Sequence, residues 1–110
     1  MKILIIILFY ISLYSNTLPK CVYISSYHQG FSWSDGIEKS IKKVLKNKCE
    51  IFQFNMDTKR NKTESFKKSQ AILAKNFINK INPNIVITSD DNAAKYLVSK
   101  YYKNSKLISN

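Results

Sequence analysis

Glycine and proline are scarce: two of each in 110 residues. Gly30 and Gly36 lie six residues apart and fit no phosphate-cradling pattern. G-x-G-x-x-G, the P-loop and the G-x-S-x-G nucleophile elbow are all absent. There is no low-complexity linker and no internal repeat, so nothing divides the chain into two globular units. Arginine is nearly absent, since Arg60 stands alone among the eighteen basic residues. Readers of phosphates and bases lean on the planar guanidinium fork. The formal charge of +11 therefore reads as a solvated lysine surface spread along every helix, and not as a nucleic-acid footprint. His28 is the only histidine. With Asp57, Asp90 and Asp91 it has no spacing that favours a metal, so no metal or cofactor is expected. A Ser26–His28 pair is close in sequence but has no triad logic behind it, and no catalytic residues are assigned.

Cysteine is limited to Cys21 and Cys49. Leu18-Pro19-Lys20 before Cys21 does not suit a lipidation signal. Each cysteine starts a predicted strand, and the two strands should be neighbours. A bridge is conceivable, but adjacent parallel strands rarely offer its geometry. Two free, partly buried thiols are expected.

What is present begins with Met1-Lys2 and the apolar run Ile3–Tyr14. One positive residue before about twelve apolar ones fits a secretory signal, and a membrane span needs about 20. Residues 1–17 are read as a signal peptide, with an uncleaved signal anchor as the alternative. The only membrane contact expected is through that segment if it is retained. The chain is placed in the periplasm or another extracytoplasmic compartment.

Residues 18–110 then show three strand–helix units. Cys21–Ser25 is a β-branched and aromatic strand. A helix over about 35–47 carries Ile37, Ile41, Val44 and Leu45 as one apolar stripe, with Ser34 as its N-cap. Glu50–Met56 alternates and reads as a strand nearer a sheet edge. The helix Glu64–Ile81 carries Phe66, Leu73, Phe77 and Ile81, flanked by Ile72 and Ile78, and Thr63 or Asn61 caps it. Ile85–Thr88 reads as a central strand. Ser89–Asn92 caps a third helix with Ala94, Leu97, Val98 and Tyr101 on its inner stripe. Leu107-Ile108 starts a fourth strand. This order of elements predicts an α/β fold with a parallel sheet and right-handed crossovers. The expected form is three layers, α/β/α, with strand order 2-1-3, the order that gathers the three strand-end loops in one mouth.

In such sheets, ligands bind outside the carboxyl ends of the strands. Ser26, Tyr27, His28 and Trp33 follow the first strand. Asp57 and Thr58 follow the second, and Asp90, Asp91 and Asn92 the third. Hydroxyls and carboxylates beside aromatics suit a small polar ligand with an amino group or hydroxyls, its ring or apolar part stacked on Trp33 or Tyr27. Helix capping is the competing role for Asp90, Asp91 and Asn92, and turn capping for Asp57.

Three segments also carry a resemblance. Tyr23–Ile37 (YISSYHQGFSWSDGI), Met56–Asn61 (MDTKRN) and Ile87–Tyr96 (ITSDDNAAKY) resemble, in this order, the ABC transporter substrate-binding protein family of the type I periplasmic-binding fold. The likeness runs over about residues 21–103. It implies two α/β lobes closing on a ligand, no covalent chemistry, and ABC transporter permease subunits as partners. Residues 18–110 then correspond to a truncated N-terminal lobe, because Lys106–Asn110 only begins the apolar fourth strand with which the family continues. The function expected is that of an exported solute-binding component of an ABC-type importer. Related domains also serve as extracellular sensors of membrane histidine kinases, which is the alternative.

Overall fold

The structure is a computed structural model that describes residues 17–109. The signal-peptide reading falls almost wholly on residues outside that range. Valine, isoleucine and tyrosine favour the pleated, half-covered surface of a strand. In β1 (Lys20–Ser25) every residue after Lys20 is buried, as in a strand flanked on both sides and covered on both faces. It pairs in parallel with β2 (Glu50–Asn55) and with β3 (Ile85–Ser89), so that Cys21 lies opposite both Ile51 and Ile85. The expected order 2-1-3 is the one observed, and a two-residue β4 (Ile108–Ser109) adds to the outer edge of β3.

Helix α1 (Ser32–Leu45) links β1 to β2, and α2 (Glu64–Ile81) links β2 to β3. The third helical element, α3, is π-helical over Ala93–Val98 and α-helical over Ser99–Tyr101. Right-handed crossovers send α1 to one face of this strand order and α2 and α3 to the other. The core agrees. Val22, Ile24 and Val86 from one face of the sheet pack with Ala71, Ala74 and Ile78 of α2 and Ala93, Tyr96 and Leu97 of α3. Phe54 meets Phe77 at 5.7 Å between ring centres. On the opposite face, α1 rests on its half-buried Ile37, Ile41 and Leu45, while Val44 is 64% exposed.

Three local expectations are corrected. Helix α1 starts at Ser32, and Ser34 does not cap it: Ser34 is buried and its Oγ has no hydrogen-bond partner among the described residues. Asp35 instead reaches back to the Gly30 amide at 2.9 Å, closing a turn in which Gly30 takes φ 95°. Glycine adopts that left-handed backbone without a Cβ penalty. In α2 the inner face is rotated towards Ala71, Ala74 and Ile78, leaving Ile72 and Leu73 about half exposed. Alanines let the helix backbone approach the sheet and α3 closely, so small residues were chosen over the larger leucine at the contact. In α3 the buried set is Ala93, Tyr96 and Leu97, not one led by Ala94 and Val98, because the wider π turn shifts the register. Thr63 does cap α2, its Oγ1 accepting the Phe66 amide, and Asn61 in turn accepts from Thr63.

The expectation of free thiols is also corrected. Cys21 and Cys49 form a disulfide, with Cα atoms 6.0 Å apart. Cys49 is not in the ladder at all. It precedes β2, two residues before the partner of Cys21, so the spacing of paired strands does not constrain it. Both cysteines are buried.

Candidate functional site at the strand ends

The three loops expected to meet do meet, and a buried serine ties them together. The Ser26 hydroxyl donates to the Ser89 carbonyl at 2.7 Å and accepts the Ala93 amide at 2.8 Å. Its backbone carbonyl receives the Thr58 amide at 3.0 Å and the Thr58 hydroxyl at 2.6 Å. Asn92 Nδ2 then donates to Thr58 Oγ1 at 2.8 Å. Ser26 and Thr58 are sealed from solvent. Their hydrogen bonds run between loops, so they hold the site and do not line it.

The cap of α3 is therefore supplied from the loop after β1, by Ser26, and Asn92 makes no side-chain cap. Asp90 does not act as a simple cap either. Its Oδ1 accepts the Trp33 indole N–H at 3.0 Å, and its Oδ2 is buried with no hydrogen-bond partner among the described residues. Trp33 is 63% exposed. Its ring is thus held across the mouth from α1 to the end of β3, not packed down onto α1.

Asp57 and Asp90 both take left-handed backbone, with φ 59° and 71°. Such conformations are tolerated by Asp better than by most side chains, and they cluster at functional loops. Each aspartate turns the chain sharply at the end of its strand. The Asp57 amide donates to the Tyr27 carbonyl at 3.2 Å, which joins the first two loops directly.

The two acidic ends differ electrostatically. Arg60 grips Asp57 with two bonds of 2.8 Å, and His28 Nδ1 stands 3.5 Å from it. The hydrogen bonds from Arg60 hold the Asp57 carboxyl below its ordinary range, with the charges of Arg60 and His28 acting in the same direction. Asp90 and Asp91 have no cationic partner among the described residues. Burial raises the Tyr27 phenol above its ordinary value, and these two carboxylates push it the same way. Tyr27 meets Phe31 edge-on at 5.5 Å, His28 stacks on Phe31 at 6.0 Å, and Lys59 sits 5.0 Å over the Phe31 ring.

Thr88, Asp90, Asp91 and Ala94 line a notch of about 220 Å³ at the end of β3. A second hollow of about 390 Å³ runs beside Trp33 along α1. Trp33 lines one of these hollows and Asp90 with Asp91 the other, and neither takes in Tyr27 or Asp57. The His28 side chain faces Asp57 and makes no hydrogen bond to a serine among the described residues. Arg60 and Lys59 were not named as site residues on sequence grounds. The signal for Arg60 was its place three residues after Asp57; nothing in the sequence placed Lys59 over Phe31. The chain matches no family model, no curated protein and no solved structure.

Proposed function

We propose that this chain is the exported solute-binding component of an ABC-type importer, with the strand-end loops as one wall of its ligand cleft. The ligand is a small molecule bearing an amino group and an aromatic or apolar body. One observation carries the reading: Trp33 is held exposed by its hydrogen bond to Asp90, beside a carboxylate oxygen that is buried and unpaired. In a chain of charge +11, Asp90 and Asp91 have no cation paired with them among the described residues, and a ligand ammonium would supply one. Tyr27 and Trp33 offer ring faces for the apolar part.

Trp33 is the only tryptophan, so its fluorescence reports on this mouth alone. Titration with phenethylamine, ethanolamine and toluene should shift the emission with phenethylamine most strongly, and Asp90→Asn with Asp91→Asn should abolish the response. Equal responses to toluene and phenethylamine, or a response that survives the double substitution, would remove the amine reading.

A further inference from the structure

The lysines are not evenly solvated where α2 meets α3. A cavity of about 270 Å³ there is lined by Lys68 and Ile72 of α2 and by Lys95, Tyr96, Lys100 and Tyr101 of α3. Lys75 stands 4.8 Å over the Tyr101 ring, and Lys95 and Lys67 stand 5.1 and 5.6 Å over Tyr96. Among the described residues the carboxylate paired within this group is Glu64, which accepts the Tyr96 hydroxyl at 2.6 Å and lies 3.9 Å from Lys67. Lys68, Lys75, Lys95 and Lys100 make no ion pair among the described residues. Ammonium groups are thus gathered around a floor of two tyrosines and an isoleucine.

The backbone builds this arrangement. In an α-helix, neighbours on a face are three or four residues apart. Over Ala93–Val98 the bonds run five residues instead, with the Ser99 amide on the Ala94 carbonyl. That spacing sets Lys95 in line with Lys100 and Tyr96 in line with Tyr101, which are four of the six lining residues. π-Helical turns are rare and concentrate at functional sites.

The geometry points to a second binding site on this face, separate from the strand-end mouth, for a small organic phosphomonoester carried on a flat apolar body. A dianion matches several ammonium groups at once, and the apolar body matches the Tyr96, Tyr101 and Ile72 floor. The volume, about 270 Å³, is just below the usual range for ligand pockets, about 300–1,000 Å³, which suits a ligand of single-ring size.

Calorimetric titration of the full chain with phenyl phosphate, inorganic phosphate and phenol tests this. Phenyl phosphate should bind at least about tenfold more tightly than either of the others. Lys68→Gln with Lys100→Gln should weaken it about tenfold, while Lys39→Gln with Lys43→Gln on α1, which removes the same charge, should change it less than about twofold. Three results would overturn the site: phenyl phosphate no tighter than inorganic phosphate, equal losses in the two double variants, or lysine-dependent binding only to phosphatidic acid vesicles, which would mark a membrane surface instead.

Discussion

Ser26 shows how much can depend on one residue, its hydroxyl and its backbone carbonyl together. It caps α3, takes the Ser89 carbonyl and presents its own carbonyl to Thr58, so three strand ends are joined through it. Ser26→Ala leaves a buried amide and a buried carbonyl without that partner, a loss of about 1–3 kcal/mol. Urea denaturation should show it, and a change within about 0.5 kcal/mol would mean the loops are held otherwise. Asp57 gives a pH-dependent test. Its carboxyl is held below the ordinary range in the folded chain by Arg60. The stability it contributes is therefore present above the ordinary carboxylate pKa and is lost as pH falls through the lowered value. The urea midpoint of the native chain should fall more steeply below about pH 4 than that of Asp57→Asn. Parallel curves would show that the pair is too solvated to matter, as exposed ion pairs often are.

Between elements, the disulfide and the small residues of α2 set how the parts are fastened. The Cys21–Cys49 bridge spans a separation of 28 residues and ties the start of β1 to the entry of β2, with α1 inside the loop. On the chain-entropy account, closing such a loop stabilises by about 3–4 kcal/mol. Reduction, or Cys21→Ser with Cys49→Ser, should lower the unfolding free energy by that order. A shift below about 1 kcal/mol would show that the reduced chain keeps these ends together without the bridge. In α2, Ala74 is fully buried while Leu73 is half exposed. Ala74→Leu should overpack the contact and cost about 1–3 kcal/mol, and Leu73→Ala should cost about 1 kcal/mol or less. The reverse ranking would restore the stripe that hydrophobic periodicity favours, in which Leu73 faces inward.

The whole molecule is asymmetric about its sheet. Among the described residues, two packed helices and the buried cluster cover one face, whereas α1 is the one helix on the other and contributes no residue to that cluster. A helix held by few buried apolar contacts opens at a lower free energy than core strands. Amide hydrogen exchange should therefore be faster in α1, particularly around Val44, than in β1 and β3. Protection in α1 equal to that of β1 would contradict this picture.

By itself the sequence determined the elements and their order. Runs of β-branched residues, amphipathic stripes and Pro83 mark the strands, helices and breaks, because period and propensity are local properties. The strand order followed from expecting the three loops to share one mouth, because only 2-1-3 sets the first loop between the other two. The candidate residues were located at the strand ends for the same reason. Tertiary structure alone decided which of those residues face outward. Ser26 and Thr58 turned inward because their partners, Ser89 at the end of β3, Asn92 after it and Ala93 at the start of α3, are distant in sequence. Trp33 stayed exposed because an aspartate 57 positions away accepts its N–H. The disulfide, the alanine face of α2 and the π turn of α3 share that origin: each is set by how closely two elements approach, and no spacing along one element records the distance to another.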